Sequence, residues 1–252
     1  MKIDFPAPHH IRQQRQLWQD AFGDTDAFLD SFFHTAYGAD QCRCVLEDDE
    51  IAAILYWIDC EVKGQKLAYI YAVVTHPDHR GKGLCRLLME NTHNLLRTKG
   101  YIGTVLVPQK ESLRKMYAGM GYQNVGGLAD FSCDAAAEPA ILRAVGAHEF
   151  AALRRTLLPA DAVIQEGAGL AFLAEQLQFY AGNDFLLAAY QENGVLHGVE
   201  FLGNPTAAPG IVTALGASCG QFRTPGTARL FAMYHSLSYP EIIPKYFGFA
   251  FD

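Results

Sequence analysis

The sequence lacks the features that mark membrane, secreted and nucleic-acid-binding proteins. No apolar run reaches the roughly 18 residues that a membrane-spanning helix needs. Residues 1–10 contain charges and prolines without an apolar core, so we expect no signal peptide. Positive charge is scarce, since 20 lysines and arginines are set against 27 aspartates and glutamates, for a net charge of −7. We therefore expect neither nucleic acid, which needs a basic face, nor a membrane as a partner.

The six cysteines also lack the spacing of a disulfide framework or a metal site. Their distribution predicts reduced thiols and a cytoplasmic location. Cys42 and Cys44 would lie on one face of a strand, but a metal site would need two further ligands that the neighbouring sequence does not offer. We expect no metal.

Half of the residues are hydrophobic, which is enough for packed cores. From residue 10 to 133 the apolar periodicity predicts the order α-α-β-β-β-α-β-α-β, a mixed α/β sheet covered by helices. The predicted helices are 10–22, 25–37, 84–98 and 111–120, and the predicted strands are 42–47, 51–61, 67–75, 102–107, 122–125 and 128–133.

The small, weakly patterned segment 135–139 is predicted to be a linker between domains 1–134 and 140–252. Beyond it we predict helices over 141–157, 168–180 and 226–237, with strands over 185–190, 195–202 and 211–217. Arg80-x-x-Gly83 and Arg223-x-x-Gly226 follow similar patterns in the two parts, which suggests an internal repeat.

One stretch predicts a ligand site. A buried strand is broken at His76, and a loop with Gly81 and Gly83 leads into a strong helix. The first amides of a helix have no helical partners and carry partial positive charge, and Arg80 and Lys82 add to it. The loop is suited to a diphosphate. Its spacing is neither that of a nucleotide P-loop nor that of the dinucleotide fingerprint.

Two motifs in this sequence resemble the GNAT superfamily of acyl-CoA-dependent N-acetyltransferases. Arg80-x-x-Gly83-x-Cys85 resembles its acyl-CoA-binding pattern, Gln/Arg-x-x-Gly-x-Gly/Ala, with cysteine at the last position. The helix that ends in Tyr117-Ala-Gly-Met-Gly121-Tyr resembles the late tyrosine-bearing helix of the family. The resemblance covers residues 10–133 in the right order of elements.

This resemblance implies a fold, a cofactor and a set of site residues. The fold would be a GNAT-like mixed sheet, followed by a second, truncated GNAT-like domain. Acetyl-CoA would be the acyl donor, its pantetheine arm on the central strand where that strand parts from its neighbour, and its diphosphate on the loop. A backbone amide near Val74 would polarise the thioester carbonyl. The implied cofactor-binding residues are Val73, Val74, Thr75, Arg80, Gly81, Lys82, Gly83, Leu84, Cys85 and Ser112.

The catalytic groups are identified less completely. The resemblance gives Tyr117 the role of general acid for the departing thiolate. Many relatives carry a glutamate on the central strand, where this sequence has Tyr71, which would act on the base side or line the acceptor pocket. Some tandem relatives place a C-terminal carboxylate in the site, which here would be that of Asp252.

These features predict an N-acetyltransferase that moves an acetyl group to an amine of a small molecule or peptide. The alternative is an acyl-CoA-binding sensor that does not catalyse transfer. The identity of the acceptor and the oligomeric state cannot be read from the sequence.

Overall fold

The computed structural model describes residues 1–250. The helices are α1 Ile11–Phe22, α2 Asp26–Thr35, α3 Leu84–Thr98, α4 Glu111–Ala118, α5 Ala147–Leu157, α6 Gly167–Gln176 and α7 Ala208–Ala214. The strands are β1 Lys2–Asp4, β2 Cys42–Glu47, β3 Glu50–Val62, β4 Gln65–Thr75, β5 Gly103–Leu106, β6 Gln123–Asp134, β7 Arg143–Ala144, β8 Gln178–Ala181, β9 Phe185–Glu192, β10 Val195–Gly203, β11 Cys219–Pro225 and β12 Arg229–Ser236. Within this range no helix is both long and apolar enough to cross a bilayer.

All twelve strands belong to one mixed sheet, in the order β1-β2-β3-β4-β5-β12-β6-β11-β10-β9-β8-β7. The pairs β4/β5 and β10/β11 are parallel, and the other neighbours are antiparallel. Helices cover both faces, so the predicted mixed α/β fold is confirmed.

The middle of the sheet joins residues 1–134, here called the first half, to residues 140–250, the second half. β12, the last strand of the second half, lies between β5 and β6, and β6 pairs with β11. Each half therefore places its last strand beside the fifth strand of the other. The boundary between domains 1–134 and 140–252 stays a prediction, but the two segments share their central strands.

The central strands are apolar on both faces because both faces are covered. Along β4, Leu67 and Tyr69 pack in the core beneath α1 and α2. Ala68 and Ile70 point the opposite way, into the core beneath α3 and α4. A strand buried on both sides has no polar face, which explains the nearly continuous apolar sequence.

Two predicted elements of the second half are wrong. Segment 211–217, predicted as a strand, is largely the helix α7, in which Ala208, Ile211 and Val212 are buried at helical spacing. Segment 226–237, predicted as a helix, contains the strand β12. Phe231 and Met233 of this strand pack in the first-half cores beneath α1–α2 and α3–α4 respectively, so pairing between β5 and β6 decides its conformation.

The predicted similarity between Arg223-x-x-Gly226 and the loop before α3 is also wrong, because the strand β12, and not a helix, follows Gly226. Arg223 lies within β11, and Gly226 lies in the turn to β12, where its amide donates to Gly127 O at 3.2 Å. This part of the proposed repeat is a connection between two strands that pair with opposite edges of β6.

Smaller differences concern element bounds. The predicted helix 141–157 begins only at Ala147, after the short strand β7. The predicted helix 168–180 ends at Gln176, before β8. The predicted strands 122–125 and 128–133 are one continuous strand, β6.

A buried ion pair in the second half holds the chain's last described segment. Arg154 donates from Nε to Glu200 Oε2 at 2.5 Å and from Nη2 to Oε1 at 2.9 Å. The hydroxyl of Tyr246 donates to the same Oε1 at 3.0 Å. One residue further, Phe247 packs edge-on to Tyr69 of β4 at 4.9 Å. The pair thus anchors residues 246–250 against the central strand, while Asp252 lies outside the described residues.

We predict that Glu200→Gln lowers the free energy of unfolding by about 3–5 kcal/mol, because it leaves the buried Arg154 cation without a counter-charge. Urea unfolding followed by circular dichroism measures the change. Glu149→Gln is the control, since its pair with Arg143 is exposed and its loss should change stability little. Equal effects of the two variants would contradict this assignment.

Candidate active site

The central strand β4 parts from β5 after a short shared stretch. The two strands pair only over Leu67–Tyr69 and Gly103–Val105, and β5 ends at Leu106 while β4 continues to Thr75. A β-bulge in β4 coincides with the parting, because one residue of β3 opposes two of β4 there. At the bulge Ala72 has φ +46°, in the left-handed region.

The bulge decides which backbone groups face the opening. His76 N donates to Ala52 O at 2.9 Å, across the ladder between β4 and β3. Because hydrogen-bonded positions alternate in an antiparallel ladder, Val74 also faces β3. Val73 and Thr75 then face the gap beyond the end of β5. The amide of Val74 is therefore turned toward β3, and the amides that face the gap are those of its neighbours; that one of them polarises a carbonyl stays a prediction.

The loop that follows β4 presents free amides to solvent. Gly81 and Gly83 both have φ +77°, and a Cβ at either position would meet no atom within 4 Å. Within residues 1–250 the amides of 81–84 donate to no backbone carbonyl outside the regular elements, and α3 starts at Leu84. The loop is thus an open cradle that only glycine leaves unfilled.

Arg80 stabilises this loop but adds no free amide to it. Its amide already donates to Pro77 O at 3.2 Å, and its Nε donates to Thr75 O at 3.2 Å. The series of free amides therefore begins at Gly81, one residue later than predicted. The side chain of Lys82 is exposed beside the series, where it adds positive charge.

The two histidines beside the loop are engaged in its structure. His76 Nδ1 accepts from Asp78 N at 3.3 Å, which caps the turn Pro77–His79. His79 Nδ1 lies 3.0 Å from Glu47 Oε2 at the end of β2. Neither histidine lines the cavity described next.

A cavity of about 410 Å³ opens where β4 and β5 part, and it passes through the sheet. From the side of α1 and α2 it is lined by Trp18, Phe22, Asp24, Phe28, Tyr69 and Tyr71. From the strands and the side of α4 it is lined by Ile70, Ala72, Val73, Leu106, Val107, Pro108, Gln109, Leu113 and Tyr117. A ligand on the α3–α4 face can thus meet a second ligand on the α1–α2 face.

Tyr117 lies on the α4 side of this cavity, as the sequence placed it. Its ring is buried and packs edge-on to Tyr122 at 5.7 Å. Burial, with a smaller contribution from the nearby Cys85 thiol, raises the pKa of Tyr117 well above its ordinary value near 10. The group stays protonated at neutral pH, as a proton donor must.

Comparison with known proteins agrees with this geometry. Residues 3–125 match the model of the acetyltransferase (GNAT) domain family. The first half of the chain therefore belongs to the GNAT superfamily. A sequence search of curated proteins finds no match.

Solved GNAT structures share the fold over nearly the whole chain. A GCN5-related N-acetyltransferase from Kribbella flavida is 17% identical, with 95% of this chain and 72% of that chain covered and a TM-score of 0.72. One from Anabaena variabilis is 15% identical, with 94% and 73% covered and a TM-score of 0.71. A tandem GNAT protein from the clavulanic acid biosynthesis pathway is 10% identical, with 95% and 100% covered and a TM-score of 0.58. At these identities the likeness concerns the fold.

Tyr71 lies on the α1–α2 side of the cavity. Its ring packs against those of Trp18, Phe32 and Tyr69, with distances between ring centroids of 5.4, 5.9 and 5.6 Å. Burial, and less strongly the charge of Asp24, raises the pKa of Tyr71 far above its ordinary value. A phenol with a raised pKa is almost entirely protonated at neutral pH and offers no phenolate to accept a proton, so a lining role is favoured over that of a base.

Asp24 is the lining residue that sequence reasoning missed. It does not cap α2, because Thr25 is the N-cap and its Oγ1 accepts from Phe28 N at 3.2 Å. Asp24 instead accepts from Trp18 Nε1 at 2.7 Å and faces the cavity. The sequence feature that could have drawn attention to it is an acidic residue directly after a helix-ending glycine. Gly23 ends α1 with φ +75°.

The other predicted cofactor residues lie around the loop. Leu84 is buried under the first turn of α3, and Cys85 beside it is half-buried. Burial raises the pKa of Cys85 to about 11, so it is a neutral thiol at neutral pH. Ser112 is exposed on the first turn of α4 and does not line the cavity.

One group of potential metal ligands lies away from the cavity, at His9, His10 and Asp49. His10 Nδ1 accepts from Ala7 N at 2.9 Å, so in the neutral ring Nε2 carries the proton and donates to Asp49 O at 3.0 Å. These bonds tie the start of the chain to the turn between β2 and β3.

We predict that Gly83→Leu weakens acetyl-CoA binding tenfold or more, measured by calorimetry, because the side chain fills the cradle. Gly64→Leu is the matched control, since Gly64 has φ +71°, has equally open surroundings, and lies in the β3–β4 turn. Both variants should lose about 1–2 kcal/mol of stability from the left-handed backbone. Unchanged acetyl-CoA affinity in Gly83→Leu would contradict the loop assignment.

Proposed function

We propose that this GNAT protein is an N-acetyltransferase that moves the acetyl group of acetyl-CoA to an amine by direct attack. The observation that carries the proposal is the parting of β4 and β5 beside an open glycine cradle. The acceptor is a small molecule or a peptide. The reaction uses no metal, and the cytoplasmic location expected from the cysteines stays a prediction.

The donor would lie along the α3–α4 face. The amides of Gly81, Lys82, Gly83 and Leu84 would bind its diphosphate, helped by the positive end of α3. The backbone of Val73 and Thr75 would pair with its pantetheine arm in place of the missing stretch of β5. This arrangement is supported by the ladder geometry, which turns both residues toward the gap.

The transfer would occur where the cavity crosses the sheet. The neutral amine attacks the thioester carbonyl, a C–N bond forms, and the C–S bond breaks. A gap-facing amide at Val73 would stabilise the negative charge that develops on the carbonyl oxygen. The thiolate takes its proton from Tyr117, and the amine loses its excess proton to water.

The alternative is a sensor that binds acyl-CoA without transfer. The absence of a glutamate at the position of Tyr71 favours it. The through-sheet cavity and the protonated Tyr117 favour catalysis, because a sensor needs no opening toward a second ligand.

We predict that Tyr117→Phe lowers kcat about a hundredfold or more and leaves the Kd of acetyl-CoA unchanged, since the hydroxyl acts only on the leaving thiolate. Thiol release from acetyl-CoA with a panel of amines measures kcat. Tyr71→Phe is the control and should retain kcat within about tenfold, because its ring lines the acceptor side.

Two outcomes would contradict this proposal. If wild type binds acetyl-CoA but transfers acetyl to no amine, the protein is a sensor. If Tyr71→Phe loses as much activity as Tyr117→Phe, the assignment of Tyr117 as the proton donor and Tyr71 as a lining residue is wrong.

A further inference from the structure

Among the described residues, the α1–α2 side of the cavity combines aromatic rings with a single negative charge. Asp24 is the sole carboxylate among the described residues that line the cavity, and no lysine or arginine lines it. The rings on the same side of the cavity belong to Trp18, Phe22, Phe28, Tyr69 and Tyr71. A cation can pair with such a carboxylate and also interact with the faces of the rings.

The carboxylate of Asp24 is held in place and keeps one oxygen available. Its Oδ2 accepts from Trp18 Nε1 at 2.7 Å. Within residues 1–250 its Oδ1 has no hydrogen-bond donor. The bond to the indole therefore orients the group, and a ligand ammonium can complete its hydrogen bonding.

A second observation indicates how a ligand reaches Asp24. An open groove runs between the α1–α2 turn and α6, and Asp24 and Phe28 line both the groove and the cavity. Glu175 of α6 adds a second negative charge to the groove, which no described lysine or arginine lines. Gln176 of α6 donates to Ser31 Oγ at 3.3 Å, so the second half forms one wall.

We propose that the acceptor is a small amine with an apolar body and one positive charge, which enters along this groove and is held by Asp24. The proposal rests on the transferase function above and specifies its substrate class. Alkylamines are charged at neutral pH, so the acidic groove attracts them as ammonium ions, and the bound ammonium ion loses one proton to water before the neutral amine attacks the thioester. Glu175 lies in the groove outside the cavity, so a second cationic group inside the cavity would have no further carboxylate among the described lining residues, and burying it among the rings is costly. Polycationic acceptors are therefore disfavoured.

The test compares Asp24→Asn with wild type, using phenethylamine as the acceptor. Asparagine can still accept from Trp18 Nε1, so the variant removes the charge and keeps the shape. We expect the KM for phenethylamine to rise about tenfold to a hundredfold, with a much smaller change in kcat and none in the KM for acetyl-CoA. Asp26→Asn is the matched control, since Asp26 lies outside the cavity and pairs with Arg15.

A neutral analogue separates charge from packing. 2-Phenylethanol should inhibit wild type and Asp24→Asn equally, because its body meets the same rings. An unchanged KM for phenethylamine in Asp24→Asn would overturn the proposal, as would a higher kcat/KM for spermine than for phenethylamine in wild type.

The failure of this proposal can be told apart from failure of the transferase function. If no amine is acetylated, calorimetry with phenethylamine on the CoA-bound protein still tests the site. Binding that weakens in Asp24→Asn supports the cation site, and no binding to wild type overturns it. If other amines are acetylated and phenethylamine neither reacts nor binds, only the substrate class is wrong.

Discussion

The parting of two parallel strands is the constraint on which the rest of the structure depends. β4 and β5 share only three paired positions, and the bulge at Ala72 turns the outer part of β4 toward β3. A sheet without this gap would have no free strand backbone at its centre and no passage between its faces. The positive φ of Ala72, unfavourable for a residue with a Cβ, persists because packing on both sides fixes the strand.

The gap also explains why the two faces of the sheet carry different chemical groups. The face covered by α3 and α4 carries the amide cradle and Tyr117, while the face covered by α1 and α2 carries the aromatic pocket and Asp24. The first group suits an anionic donor and the second suits a cationic acceptor. In the proposed reaction the diphosphate of the donor and the charge of the acceptor would lie on opposite sides of the sheet, and only the thioester and the amine would meet in the cavity.

The sequence was most informative where local physics determines the structure. The strand, loop and helix around Gly83 were predictable because free helix amides, glycine torsions and apolar periodicity are local properties. The position of β12 was not, because its conformation depends on strands more than a hundred residues earlier in the chain. The role of Asp24 was hidden for the same reason, since its partner Trp18 and the cavity come together only through packing of α1 on β4.

The second half follows the strand order of the first, yet its chemistry at the matching position differs. After the parallel strand β10, the chain enters a turn and then α7, as the first half passes from β4 to α3. There, Pro205 and Pro209 stand at the starts of the two helical segments and supply no amide hydrogen. Asn204 instead caps the first of them with its own side chain. Within residues 140–250 the corresponding turn therefore offers no cradle like that at Gly83. The described part of the second half supplies β12 to the sheet, α6 with Glu175 to the groove, and the Phe247 segment behind Tyr69.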